Sequence, residues 1–157
     1  MPAPPTREER RGAAACGTVI ALHARSDPGR MAILSPHGER SFGELDARAN
    51  QLARTLRSRG LEPGDGVALV CSNRPEFAEV YAAGLRSGLR LTPINWHLTA
   101  SEIAYIVEDC EARAVVGDPR FAGALAEISD ALPRHDTGKI YRRLLRDRHW
   151  QGKSRKI

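Results

Sequence analysis

Apolar positions recur along this chain with a helical period in some stretches and run unbroken in others, and turn residues mark the changes. After Ser41-Phe42-Gly43-Glu44, the residues Leu45, Ala49, Leu52, Ala53 and Leu56 fall on one face at helical spacing, while Arg48, Arg54 and Arg57 point elsewhere. The tetrapeptide is itself a capping box, in which the serine hydroxyl accepts from the third helical N–H and the glutamate reaches back. Gly60 stands where a left-handed residue would end that helix. Val67-Ala68-Leu69-Val70-Cys71 is a continuous apolar run, which predicts a strand buried on both faces, as in parallel sheets. Pro75 predicts the next helix start, because its missing N–H costs nothing in a first turn. The inner stripe of that helix reads Phe77, Val80, Tyr81, Gly84 and Leu85, and Gly88 closes it.

The alternation continues. Residues 89–94 predict a second strand, weakened by Pro93 near its end. Thr99-Ala100-Ser101-Glu102 is a second capping box, and Ile103, Ile106, Val107 and Cys110 line one side of its helix. Residues 112–116 predict a third strand, and Asp118-Pro119 starts a helix carrying Phe121, Leu125 and Ile128. Short connections between alternating strands and helices imply right-handed crossovers and a parallel sheet, so the fold class is α/β with βαβ units. Upstream, residues 18–24 predict a short helix packed by Val19, Ile20 and Leu22. Residues 31–34 predict a strand that turns at Ser35-Pro36-His37-Gly38 into a small hairpin. Pro2, Pro4 and Pro5 suggest a disordered lead-in over residues 1–16, followed by the α/β unit over 17–130 and a distinct segment over 131–157.

Charge separates the last segment from the rest. The chain has 157 residues and a net charge of +5. Residues 1–133 carry 15 Arg and no Lys against 17 Asp plus Glu, a net of −2, whereas residues 134–157 carry 9 Lys plus Arg against 2 Asp, a net of +7. Such a tail is a candidate for nucleic acid or anionic lipid, but it lacks a binding motif and has few aromatics to stack on bases. A solvated helix face over residues 141–150 and a frayed terminus is the favoured reading, and nucleic acid is not an expected partner. No stretch approaches the ~18 apolar residues of a transmembrane span. Glu8 and Glu9 spoil the positive lead of a secretory signal before residues 12–22, so a cytoplasmic location is expected. Cys16, Cys71 and Cys110 fit neither a disulfide framework nor a zinc site, and each is expected to be a small buried side chain kept reduced.

The candidate chemistry lies at Leu132-Pro133-Arg134-His135-Asp136-Thr137-Gly138-Lys139. Thr137 and Gly138 make a turn without bulky neighbours, from which Lys139 can reach an anion on a flexible stem. His97 follows Trp96 in a strand-to-helix loop, where local packing or hydrogen bonding is its expected role, and His135 is expected to be exposed. Neither has a serine or carboxylate at a readable catalytic spacing.

Residues 17–128 resemble the N-terminal part of an AMP-forming acyl-CoA synthetase, a fatty-acid–CoA ligase of the adenylate-forming superfamily. The resemblance is carried by Ser41-Phe42-Gly43-Glu44-Leu45, Leu61-Glu62-Pro63-Gly64-Asp65-Gly66-Val67, Ser72-Asn73-Arg74-Pro75-Glu76-Phe77 and Pro93-Ile94-Asn95-Trp96-His97-Leu98-Thr99. Residues 132–150 resemble that family's extreme C-terminus, where a Pro-Arg-x-x-Thr-Gly-Lys turn carries the lysine used in adenylate formation. The resemblance implies an internally deleted synthetase: a βαβ fragment of the N-terminal domain, with its hairpin, joined to a basic turn-helix. It also implies the family reaction, in which a carboxylate attacks ATP and CoA then displaces AMP, with ATP, magnesium ion and CoA as the family's reactants and cofactors. By that resemblance Lys139 would neutralise charge between carboxylate and phosphate.

The departures limit the expectation. The family's Ser/Thr/Gly-rich phosphate loop, its aromatic-Gly-x-Thr-Glu segment and its ribose-binding aspartate are absent, and Gly138-Lys139 lacks the upstream glycine of a P-loop. Two roles therefore stay open for Lys139, catalysis or a solvent-exposed cation, and the second is favoured because a single donor without preorganised partners stabilises little in water. No cofactor is expected on this chain, and no metal cluster is visible. An alternative from another class is a small protein-interaction module, or self-association, through the uncovered sheet edge and apolar helix faces.

Overall fold

The computed structural model of the protein describes residues 4–123, 125 and 126. Two helices come first, α1 at Arg7–Ala15 and α2 at Val19–Ser26, and then the hairpin of β1 at Met31–Ser35 and β2 at Gly38–Ser41. There follow α3 at Phe42–Ser58, β3 at Gly66–Val70, α4 at Pro75–Ser87, β4 at Arg90–Ile94, α5 at Ala100–Asp109 and β5 at Ala112–Gly117. A 3-10 turn at Pro119–Phe121 follows, and the described residues after it, 122, 123, 125 and 126, are helical.

β3, β4 and β5 form a parallel sheet in the order β4-β3-β5, which puts β3 in the middle. All five residues of β3 are buried, as the apolar run requires. Alternation along the strand assigns its faces. Val67 packs with Leu56, Leu61 and Leu89, and Leu69 and Cys71 pack with Val80, so this face meets α3 and α4. Ala68 and Val70 pack with Ile94, Ile103 and Val107 on the α5 face. Burying a Val or Leu side chain is worth about 1.5–3 kcal/mol, so this one strand anchors both layers. Pro93 lies on β4, an edge strand, where a missing donor is tolerated. The antiparallel hairpin is a separate two-stranded sheet.

Both expected capping boxes form, at Ser41 with Glu44 and at Thr99 with Glu102. Leu45, Ala49, Ala53 and Leu56 of α3 are buried, and Gly88 caps α4 in the left-handed conformation at φ 68°.

Three expectations are corrected. The lead-in over 1–16 contains α1, and the reason is a third capping box: Thr6 accepts from the Glu9 amide, and the Glu9 carboxylate accepts from the Thr6 amide at 2.7 Å. The inner stripe of α4 is right at Val80 and Gly84, which are buried, and at Phe77, which packs against the core, but not at Tyr81 and Leu85, which are exposed while Glu79, Ala82 and Ala83 are buried. The small residues win because α4 packs closely on α3, with Ala82 and Ala83 against Ala49 and Ala53. Cys16 is exposed at the end of α1, while Cys71 is buried and Cys110 half-buried as free thiols.

Close packing at Gly84 gives a stability test. A Cβ there would come within 2.6 Å of Leu91 side-chain carbons, whereas one on Gly12 in α1 meets nothing within 4 Å. Gly84→Ala is expected to lower unfolding free energy by about 1–3 kcal/mol. Gly12→Ala is expected to leave it unchanged or raise it by up to ~1 kcal/mol. Urea denaturation followed by circular dichroism measures both.

Candidate functional site

Because the three strands run parallel, their carboxyl ends open onto one rim. The chain leaves β3 for β4 through α4, then passes through α5 to β5 on the opposite side of β3. The crossover helices α4 and α5 thus lie on opposite faces of the sheet, and the strand order reverses beside β3. In open α/β sheets ligands bind at such a switch point.

The register of β3 on β5 pairs Val70 with Gly117 and so brings Ser72 to Asp118, 46 residues apart in sequence. The Asp118 amide donates to the Val70 carbonyl at 3.0 Å, continuing the ladder past the strand end. The Asp118 side chain is 1% exposed and is held by donors from two loops. Ser72 Oγ donates to its Oδ2 at 3.2 Å, the Arg120 amide donates to Oδ1 at 3.1 Å and Arg120 Nε donates to Oδ2 at 3.2 Å. Arg74 Nη1 stands 3.7 Å from the same Oδ2. The Arg120 amide holds the Asp118 carboxyl below the usual range; burial opposes this, and the Ser72 hydroxyl and Arg120 charge reinforce it.

Next to this acid, burial pushes the Cys71 thiol up, and the carboxylates of Asp118 and Glu76 push it further. A thiol so placed is a poor nucleophile, in line with a packing role. On the β4 side, the His97 ring lies against Trp96 with centroids 3.5 Å apart, and the His97 amide donates to Asn95 Oδ1 at 3.1 Å. Trp96 also faces Phe121 at 5.8 Å, and the Arg120 guanidinium stands over both rings, 5.6 Å from Trp96 and 5.4 Å from Phe121. His97 therefore packs locally, as its position in the loop suggested.

Chemically, the rim is a saturated carboxylate ringed by arginines. Asp118 is committed to its donors and is not available as a base. Among the described residues no group of three or more His, Cys, Asp or Glu can hold a metal ion. Lys139, with Thr137 and Gly138, lies outside the described residues, as do His135, the basic tail and the helix expected over 141–150. Sequence reasoning missed Asp118, Arg74 and Arg120 as a group. Asp118 was legible only as a helix start before Pro119, since no spacing rule links positions joined by sheet register.

The depressed value of Asp118 has a definite sign. A carboxyl with a lowered folded pKa adds stability above its unfolded value, near pH 4, and that contribution is lost as pH falls through the folded value. Asp118→Asn is expected to lower the urea midpoint at pH 7, and the gap to the parent chain should narrow on acidification below about pH 4. Midpoints measured at pH 7 and pH 3 check this.

Comparison with known proteins places the scaffold. The family model described as AMP-binding enzyme matches residues 20–155. A fatty acid–[acyl-carrier-protein] ligase, ScoC, of Streptomyces coeruleorubidus is 30% identical over 112 residues, covering 71% of this chain and 22% of that protein. An indoleacetate–CoA ligase of Aromatoleum aromaticum is 31% identical over 113 residues, covering 72% of this chain and 22% of its own length. The inhibitor-bound N-terminal domain of FACL13 from Mycobacterium tuberculosis superposes with a TM-score of 0.68 at 27% identity, over 73% of this chain and 29% of that one. The chain thus spans about a fifth of the length of the curated relatives it matches. Among the described residues no helix is long and apolar enough to cross a membrane. With a parallel three-stranded sheet, the matching order of elements and a family match over most of its length, this chain belongs to the AMP-binding enzyme family and carries the fold of the acyl-CoA synthetase N-terminal domain.

Proposed function

We propose that this chain is a shortened AMP-forming acyl-CoA synthetase that does not by itself form an acyl-adenylate. The observation that carries this reading is the length of one interval. Between the end of β5 at Gly117 and the Thr137-Gly138-Lys139 turn there are only nineteen residues, 118–136, and they contain no Ser/Thr/Gly-rich loop to cradle phosphates. The family match runs through this interval to residue 155. On this reading the chain joins the family's opening scaffold to its closing lysine, with the nucleotide-gripping middle removed.

Magnitudes favour an inactive chain. A unit charge 4 Å from another in bulk water contributes about 1 kcal/mol. Enzymes lower barriers by roughly 8–23 kcal/mol, most of it from preorganised donors in a water-excluded site. Lys139 alone cannot supply that. The described residues also do not fit a magnesium–nucleotide complex, because the buried rim carboxylate already serves Ser72, Arg74 and Arg120. ATP–pyrophosphate exchange with magnesium ion and a panel of fatty and aromatic acids is expected to stay at the no-protein background. Exchange above background that Lys139→Ala abolishes would overturn the reading.

One observation favours a second role, self-association. β5 is an edge strand with no described neighbour on its outer side, and it carries an exposed Val115. β4, the other edge, bears Pro93, which disfavours further pairing. A second copy pairing along β5 would appear in sedimentation velocity as a concentration-dependent dimer, weakened by Val115→Lys. A chain that stays monomeric at millimolar concentration rules this out.

A further inference from the structure

An alternating row of charges crosses the fold from α3 to the end of β5. It reads Arg48, Glu79, Arg40, Glu76, Arg74, Asp118, Arg120, base and acid in turn. Arg48 Nε is 3.7 Å from Glu79 Oε1, and Arg40 Nε donates to the same oxygen at 2.9 Å. Arg40 Nη2 is 3.7 Å from Glu76 Oε1, and Arg74 Nε donates to Glu76 Oε2 at 3.2 Å. Arg74 Nη1 and Arg120 Nε then meet Asp118. Each interior member is shared by two partners of opposite charge.

The row joins parts of the fold that are far apart in the chain. Arg40 belongs to β2, and the hairpin lies against the start of α4, where a Cβ on Gly38 would be 3.9 Å from Pro75. Glu76 and Glu79 belong to α4, Arg74 is the residue that caps it, and Asp118 and Arg120 follow β5. Exposure is uneven along the row. The Asp118, Glu79 and Arg40 side chains are 1%, 11% and 16% exposed, whereas Glu76 is 41% exposed. Burial pushes the Glu76 carboxyl up, but the Arg74 hydrogen bond, its own backbone amide and the Arg74 and Arg40 charges outweigh this and leave it lowered. Glu76 is thus an ionised, solvent-reached link between the better-buried Arg40–Glu79 pair on one side and Asp118 on the other.

We propose that Glu76 couples the two ends, so that the seating of the β1–β2 hairpin on α4 depends on the integrity of the Asp118 rim. The physical route is competition for shared guanidinium groups. When Asp118 is neutralised, Arg74 turns more fully to Glu76, and Glu76 then holds Arg40 less well. Arg40 is left with Glu79 as its carboxylate on α4, an oxygen it shares with Arg48, so the hairpin loosens. Members of one ion-pair network are expected to be non-additive in this way, whereas residues that share no partner are additive.

Hydrogen exchange on the full chain at neutral pH tests the coupling, with α5 amides as the internal reference for global stability. Asp118→Asn is expected to speed exchange at hairpin amides by roughly threefold to tenfold relative to α5. In the Glu76→Gln background the same substitution should leave hairpin exchange unchanged relative to α5. Arg120→Gln, at the half-exposed end of the row, gives a gentler perturbation of the rim, should Asp118→Asn fail to fold, and is expected to act in the same direction. Two results would overturn the proposal. One is hairpin exchange that follows α5 in every variant. The other is a hairpin effect of equal size with and without Glu76, which would mean that the signal passes through the packed core instead.

Discussion

Everything in this fold is arranged around a strand with no solvent side. β3 is buried along its whole length, with Val67 and Leu69 against α3 and α4 and Ala68 and Val70 against α5. A strand with one wet face reads its register from the alternation of polar and apolar residues, because a one-residue slip would bury the polar set. β3 carries no such code. Its register has to be set at its ends, and the structure shows how. At the start, Gly66 passes so close to the α5–β5 turn that a Cβ would lie 2.8 Å from the Glu111 carbonyl oxygen and 2.9 Å from that of Cys110. At the finish, the Asp118 amide takes the Val70 carbonyl and Ser72 takes the Asp118 carboxylate. One end is fixed by the absence of a side chain and the other by a buried acid.

This division explains what could be read from the sequence. Capping boxes are local, four residues wide and made of side chain and backbone alone, so Ser41 and Thr99 announced their helices correctly. Thr6-Arg7-Glu8-Glu9 carries the same signal, although prolines precede it. The strand periodicity was legible for the same local reason. The face of α4 was legible in part, at Val80 and Gly84. Tyr81 and Leu85 are the bulkier apolar residues, yet the helix turns Ala82 and Ala83 inward, because the distance to α3 is set by partners remote in sequence. Size and hydrophobicity rank residues by what they gain on burial. They do not state how much room is available.

The rim lay further from reach. Ser72, Arg74, Asp118 and Arg120 come together only through the parallel register of β3 on β5, and no motif spans that separation. The Thr-Gly-Lys turn has a recognisable spacing but falls outside the described residues. The two regions illustrate opposite kinds of signal. The turn is distinctive in sequence, through the spacing of Thr137, Gly138 and Lys139. The rim is indistinct in sequence and is well supplied with neighbours.

On the proposed reading, scaffold and chemistry separate in this chain. The described core closes over β3 with α3 and α5 capped by side chains at their own N-termini and with an acid neutralised by arginines of the same rim. A site that must grip ATP has the reverse requirement. It needs donors left unsatisfied by the protein, aimed at a position where phosphate will develop charge, and held there at the expense of folding stability. Asp118 with its satisfied oxygens shows that the rim was built to the first specification. The chain keeps the fold of its family because folding rests on interactions complete within the described residues; on the proposed reading adenylation is lost because catalysis rests on interactions that a complete site must leave open.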